Sequence, residues 1–288
     1  MGTAMVFRFG NREVDFAART HVMGILNVTP DSFSDGGEYM EPSRAVERGL
    51  AMVDEGADFV DVGGESTRPR GTAYGQGAEP ITVQEELHRV IPVIRALVRQ
   101  TDVPVSIDTS KSVVAREALE AGAVIVNDIS GFSVDEAMPE VVAAAGASVI
   151  VMHMRGTPQT MQQQTLYEDL FGEVRNFLAA AVAKARRAGV AQIIVDPGIG
   201  FAKGVKDNLR LMAGAHEFQS LGCPVLMGPS RKAFIGDILG LPVDDRVEGT
   251  IGAAVAAAML GAHIVRVHDV RPVRRALMIA DAIRHAHG

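Results

Sequence analysis

The chain has one cysteine, Cys223, in 288 residues, so no internal disulfide can form. That fits a reducing compartment, and the expected location is the cytoplasm. With no His or Cys motif around it, Cys223 reads as a small packed hydrophobe. No export signal is expected either, because Met1 to Asp15 holds no apolar stretch of roughly 7–15 residues. Val6 stands where N-myristoylation needs Ser or Thr. The longest apolar run, Ile251 to Ala262, falls short of the ~20 residues that cross a bilayer, so no membrane association is expected. Basic charge is not in excess: Lys+Arg number 28 against 35 Asp+Glu, a net charge of −7. Nonspecific nucleic-acid binding is therefore not favoured, while a local basic pocket for a small anion remains compatible. No linker, low-complexity segment or composition break divides the chain. One domain over 1–288 is the economical reading, with its main body from about residue 20.

At 47% apolar and 22% charged residues, the chain can bury a sizeable core. Met5 to Phe16 alternates apolar and polar residues around Gly10-Asn11, which predicts a β-hairpin plugging one end of a larger body. Strands are then predicted at His21–Asn27, Asp58–Val62, Val103–Asp108, Val124–Ile129, Ser148–Met152, Gln192–Asp196, Pro224–Met227 and His263–Val267. Each is rich in Val and Ile, as strands buried on both faces are. Helical patterns lie between them. Thr82 and Glu85 form a capping box, and Leu87, Val90, Ile91, Ile94, Leu97 and Val98 make the apolar face that follows. Pro92 predicts a kink or a later start there. Ser110 is the expected N-cap of the next helix. Val174, Phe177, Leu178, Ala181, Val182 and Ala185 make another apolar stripe.

Gly56, Gly122, Gly146, Gly189, Gly222 and Gly261 each fall just after a helical pattern and just before a strand, where a left-handed residue ends a helix. One junction recurring along the chain implies one repeated βα unit, and about eight such units predict an α/β fold, a (β/α)8 TIM barrel. A doubly wound open sheet would need a Gly-x-Gly-x-x-Gly turn. The nearest candidate, Gly198 to Gly204, has the wrong spacing.

A barrel of this kind carries its site at the C-terminal ends of the strands. The first strand ends at Asn27, the second runs into Gly64-Glu65-Ser66-Thr67-Arg68-Pro69, and the third ends at Asp108. The fourth supplies Asn127-Asp128, the fifth Met152-His153 and the sixth Asp196. The seventh runs into Gly228-Pro229-Ser230-Arg231-Lys232, and the eighth ends Arg266-Val267-His268-Asp269. Asp108, Asn127 and Asp196 suit the donor–acceptor edge of a flat heterocycle such as a pterin. Lys232, Arg266 and His268, on the late strands, suit a phosphate or diphosphate. Asn27, one strand further round, could give an oxygen to Mg²⁺ bridging that diphosphate. Each acid taken singly has a plainer reading as a helix N-cap, Asp128 and Asp269 especially. His153 reads as a packed core residue, and Asp61 and Glu65 as structural ion-pair partners. His88, His216, His285, His287 and the pairs Arg186-Arg187 and Arg274-Arg275 read as surface. The functional reading rests on acids gathering on one arc of the mouth and cations on another.

Asn27-Val28-Thr29-Pro30-Asp31-Ser32-Phe33, Gly64 to Pro69, Ser106-Ile107-Asp108-Thr109, Asn127 to Gly131, Asp196 to Phe201, Ser230-Arg231-Lys232 and Arg266 to Asp269 resemble, in order, the motifs of the dihydropteroate synthases. The resemblance runs from Met23 to Val270. It implies a (β/α)8 enzyme, usually a homodimer, that joins a dihydropterin-methyl diphosphate to 4-aminobenzoate with loss of diphosphate. Carried over position by position, it implies a catalytic set of Asp108, Lys232, Arg266 and His268. Asp108, Asn127, Asp196 and Lys232 would hold the pterin, and Thr67, Arg266, Val267 and His268 the diphosphate end. Phe33, Arg68, Pro69, Phe201 and Ser230 would shape the aminobenzoate side. Met152 and Gly228 complete the substrate-binding set, and Asn27 would bind Mg²⁺. One departure stands out: Arg70 to Gln76 lengthens the loop between Thr67-Arg68-Pro69 and Gly77-Ala78-Glu79-Pro80. A pterin-binding methyltransferase and a non-catalytic pterin-binding paralogue are the rival readings.

Overall fold

The structure, a computed structural model, describes residues 5–29, 37–66 and 79–286, with the backbone alone for residues 37–41. Two short strands, β1 (Val6–Phe9) and β2 (Arg12–Asp15), pair antiparallel around Gly10. Phe9, Val14 and Phe16 then pack in one buried cluster with Met23, Phe59, Ile125, Ile150, Ile194, Leu226 and Ile264. These seven residues come from seven barrel strands, so the hairpin plugs the barrel at the end away from the strands' C-termini. Phe9 meets Phe59 edge-on at 5.1 Å between ring centres.

The barrel strands are β3 (His21–Asn27), β4 (Phe59–Gly63), β5 (Val105–Asp108), β6 (Ile125–Asp128), β7 (Ser148–Met152), β8 (Ile193–Asp196), β9 (Leu226–Met227) and β10 (Ile264–Val267). Among the described residues they form one parallel eight-stranded sheet in the order β8-β7-β6-β5-β4-β3-β10-β9. A bridge between Val195 and Val225 joins β8 to the segment entering β9, which nearly closes the barrel. The expected strands agree with these to within two residues at each boundary. Alternation along each strand does the sorting. In β3, Val22 and Leu26 face the outer helices, while Met23 and Ile25 face inward.

The helices are α1 (Gly37–Asp54), α2 (Val83–Gln100), α3 (Ser112–Glu120), α4 (Met138–Ala144), α5 (Leu170–Ala188), α6 (Val205–Ala213), α7 (Ala233–Leu239), α8 (Val247–Met259) and α9 (Val270–His285). Three local expectations need correction. α2 spans Val83–Gln100 with Pro92 inside it, so the later start is not seen. Pro92 lies on the exposed face, where water can satisfy the carbonyl that would otherwise accept its missing N–H. Thr82 does accept from the Glu85 backbone N–H at 3.2 Å, but the Glu85 carboxylate bonds Arg89 instead, so only half of the capping box forms. α3 begins after Lys111, not Ser110, and Asp135 takes the Ser112 N–H at 2.8 Å. The apolar stripe expected of α5 is buried as read, with Phe177 partly covered.

All six junction glycines have positive φ, from 63° at Gly146 to 113° at Gly261. Gly122, at φ 111°, also has no room for a side chain, since a Cβ there would lie 2.8 Å from Val98 Cγ1. We expect Gly122→Ala to cost about 2 kcal/mol in urea unfolding, from backbone strain plus the clash. A loss below about 0.5 kcal/mol would show that the turn relaxes freely.

Candidate active site

The strand register builds the mouth. Asn27, Gly63, Asp108 and Asn127 stand in one row across β3, β4, β5 and β6. Gly63 leaves a gap in that row: a Cβ there would come within 3.4 Å of Asp108 and 3.8 Å of the Asn27 amide oxygen. Above this row opens a cavity of 350 Å³ lined by Asn27, Glu65, Ser66, Asp108, Met161, Phe201, Gly228, Ser230, Lys232, Arg266 and His268, among others. Asn127 and Asp196 lie buried beside it, at 3% and 6% exposure.

The acids and cations do meet here, but not on separate arcs. Arg266 donates from Nε to Asp61 at 2.6 Å and from Nη2 to Asp108 at 2.6 Å, so it crosses the barrel and ties β10 to β4 and β5. Asn127 donates its amide to the same Asp61 oxygen at 2.8 Å. The expected separation of charges is thus overturned, and for a physical reason. An unpaired guanidinium and unpaired carboxylates at this depth would each bear a large desolvation penalty. Asp61 is a structural ion-pair partner as read, yet it also orients Arg266 on the cavity wall and holds the Asn127 amide beside it.

Burial sets the protonation chemistry. It pushes Asp108 up to about 7, against the opposing pull of Arg266. It pushes Asp196 up to about 6, while Asp196 accepts from the Gly198 N–H at 2.7 Å. Lys232 is pushed down to about 8 by burial, with repulsion from Arg266 adding to the shift. Its ammonium stands 4.1 Å from the centre of the Phe201 ring. His268 departs from the expected cation. Burial and the nearby Arg266 and Arg231 bring it down to about 3, so the imidazole is neutral at physiological pH. The Ser230 hydroxyl accepts from the His268 backbone N–H at 3.2 Å and stands 3.0 Å from His268 Nδ1. With the hydroxyl donating to Nδ1, the ring keeps its proton on Nε2 as a hydrogen-bond donor.

The loop after β9 is held in a strained form. Arg231 has φ 56°, a conformation costly for a side chain of this size. A two-pronged pairing with Asp269 at 3.0 and 2.7 Å, a bond from its N–H to the Thr250 hydroxyl, and a bond from Arg246 to its carbonyl fix it there. That strain presents Ser230 on one side and Lys232 on the other. Asp269 is therefore a partner of Arg231 and makes no side-chain cap on α9. Asp128 is not a helix cap either. Its carboxylate accepts from the N–H groups of Ser130 and Phe132, closing the turn after β6.

Other expected residues fall less directly on the cavity. Val267 is fully buried among the outer-core residues, so its side chain faces the helices and only its backbone faces the mouth. Met152 packs with Ile129, Met154, Met161, Phe201 and Ala202 in a small cluster, of which Met161 and Phe201 line the cavity. Phe33, Thr67, Arg68, Pro69 and the segment from Arg70 to Gln76 lie outside the described residues. Glu65 forms ion pairing as expected: Lys111 bridges it to the buried Glu86, anchoring the start of the second loop. Residues the sequence did not flag include Met161 on the cavity wall and Lys203 just behind it. A lysine in a Gly-rich turn reads as solvated, yet Lys203 is 4% exposed. The Gly198-Ile199-Gly200 spacing, which brings backbones close, was the available signal.

Residues 23–268 match the model of the pterin binding enzyme family. A dihydropteroate synthase of Synechocystis sp. is 50% identical over 277 residues, covering 95% of this chain and 93% of that protein. A crystal structure of Yersinia pestis dihydropteroate synthase with a sulfonamide drug complex superposes with a TM-score of 0.90 at 41% identity, covering 98% of this chain and 100% of that one. The Xanthomonas albilineans dihydropteroate synthase with 4-aminobenzoic acid gives a TM-score of 0.90 at 40% identity, covering 99% of this chain and 100% of that one.

Proposed function

The chain belongs to the pterin binding enzyme family and, within it, to the dihydropteroate synthases, transferases of a pterin-methyl group; from that membership we propose how the cavity above the barrel performs the condensation. The substrates are 6-hydroxymethyl-7,8-dihydropterin diphosphate and 4-aminobenzoate, and the products 7,8-dihydropteroate and diphosphate. The observation that carries the assignment of roles is the convergence of Asp108, Asn127 and Asp196 with Lys232, Arg266 and His268 around one 350 Å³ cavity.

Asp108, Asn127 and Asp196 take the amino-amide edge of the pterin. Lys232, held over the Phe201 ring and attracted by Asp196, covers the ring system. Breaking the C–O bond moves an electron pair onto the departing diphosphate and leaves positive charge on the pterin methylene. Arg266 and the Nε2–H of His268 stabilise the first. The electron-rich ring, with Asp108 and Asp196 at its edge, stabilises the second. The neutral arylamine nitrogen of 4-aminobenzoate then attacks the methylene and loses one proton to solvent, so no strong base is required. The charges on Arg266 are shared with Asp61 and Asp108 before substrate arrives, which keeps the guanidinium oriented without a reorganisation step.

The donor set fits Mg²⁺ at the diphosphate end. Asn27 is exposed at the tip of β3 beside the cavity and offers one neutral oxygen, and Mg²⁺ keeps several waters and substrate oxygens when protein ligands are few. When bound there, the ion would neutralise charge on the leaving diphosphate. Thr67 would add to that end, and Phe33, Arg68, Pro69 and Ser230 to the aminobenzoate side. Diphosphate release that requires both substrates and Mg²⁺ is the expected result. Release that 4-aminobenzoate neither speeds nor turns into dihydropteroate, or no release at all, would overturn the reading.

The same reading includes a cytoplasmic location and a homodimer. Among the described residues no helix is long and apolar enough to cross a membrane. Helices α8 and α9 pack together, and Met259, Leu260, Met278, Ile279 and Ile283 there are exposed. Sedimentation should give about twice the 30.6 kDa chain mass, falling to one chain in Ile279→Asp. A monomeric parent protein would contradict this.

A further inference from the structure

We propose that Lys203 is a positioning residue for the pterin: its buried ammonium ties the loop after β7 to the loop after β8 and so fixes the Asp196 carboxylate and the Phe201 ring on the cavity wall. The inference rests on the reading of Asp196 as a pterin anchor. Lys203 does not itself line the cavity. Its ammonium donates to the Phe201 carbonyl at 2.8 Å, stands 2.9 Å from His153 Nδ1 and reaches the His153 carbonyl at 3.5 Å. An ammonium has protons only to give, so His153 Nδ1 is the acceptor and that ring is neutral.

The two loops meet so closely that only this arrangement fits. A Cβ on Gly198, at φ 76°, would lie 2.1 Å from the His153 carbonyl and 3.3 Å from the Lys203 ammonium. The main chain adds to the join: the His153 N–H donates to the Asp196 carbonyl at 3.0 Å. Phe201 is thereby held by its carbonyl while its ring covers the Lys232 ammonium at 4.1 Å. Asn208, at the start of α6, closes the turn by bonding the Lys203 carbonyl at 3.2 Å and the Gly200 N–H at 2.7 Å. Burial brings Lys203 down to about 7 against the attraction of Asp196, and the Lys203 charge in turn helps to keep Asp196 ionised. A buried cation with two loops for ligands has no surface role, and it leaves the folded chain poised around the residue that reads the pterin edge.

The test is a double-mutant cycle on Lys203→Met and Asp196→Asn, read by binding of 6-hydroxymethylpterin through its fluorescence. Inhibition by inorganic diphosphate, bound at the far end near Asn27 and His268, serves as the control. Lys203→Met should raise the pterin Kd about tenfold or more, while the diphosphate Ki stays within about twofold. The double variant should lose less than the product of the two single losses, because both act on one carboxylate. Should Lys203→Met fail to fold, Lys203→Gln decides the question with the same two readouts. Pterin affinity within about twofold of the parent, fully multiplicative losses, or equal losses of pterin and diphosphate would each overturn the role of Lys203. An Asp196→Asn protein that binds pterin normally would instead refute the pterin-anchor reading on which the inference stands.

Discussion

Arg266→Ala should lower the single-turnover rate of diphosphate release by about 10²–10³-fold, because an electrostatic donor aimed at developing charge is typically worth that much. The structure adds a second consequence. Arg266 is the cation shared by Asp61 and Asp108. Without it, two buried carboxylates face each other uncompensated, and at least one must take up a proton at neutral pH. Asp108, already raised to about 7, is the one that titrates in the working range. Pterin affinity in the variant should therefore fall as well, and should recover partly at alkaline pH. Arg266→Lys keeps the charge but cannot fork between two acids, so it should restore only a minor part of the rate. A single-turnover rate within about threefold of the parent would remove Arg266 from the mechanism.

The second large effect separates binding from stability. Asp196 is buried, and burial holds its carboxyl at about 6 rather than the ordinary 3.8. A carboxylate raised in the folded state contributes stability that is fully present below its unfolded pKa and is lost as pH rises through the folded value. The charge on Asp196 thus weighs against the folded protein above about pH 6. Asp196→Asn should remove that burden and raise Tm by about 2–4 °C at pH 7.5. It should at the same time weaken pterin binding about 10–100-fold, since the amide cannot replace a charged acceptor. In the parent protein, pterin affinity should fall on acidification through pH 7 to 6, as Asp108 and then Asp196 take up protons. A Tm below that of the parent, with unchanged pterin affinity, would mean that Asp196 is a structural acid only.

Much of this arrangement was legible in the residues. The repeated glycine junction named the barrel, and the positive φ at Gly56, Gly122, Gly146, Gly189, Gly222 and Gly261 is the reason. The residues ending each strand named the cavity, because period-two alternation carries strand-end polar groups inward. What escaped was pairing across the barrel. Asp61 and Arg266 are 205 residues apart, and nothing local shows that one guanidinium will bridge Asp61 and Asp108. The neutrality of His268 escaped for the same reason, since burial and the closeness of Arg266 and Arg231 exist only in the folded chain. Val267 shows the limit of a motif read as a list: its neighbours face the cavity, and strand geometry turns its own side chain to the outer helices. Lys203 was masked by composition, since a lysine after Gly-Phe-Ala reads as solvated and only the close-approach glycines Gly198 and Gly200 pointed the other way.

The central claim is that one mouth grips a pterin edge on its acids and draws off the departing anion on its late-strand side. A crystal structure of the protein with 6-hydroxymethylpterin, diphosphate and Mg²⁺ tests it directly. The pterin amino-amide edge should bond Asp108, Asn127 and Asp196, with the diphosphate beside Arg266, His268 and Asn27. A pterin bound away from Asp196, or a diphosphate out of reach of both Arg266 and His268, would contradict the account.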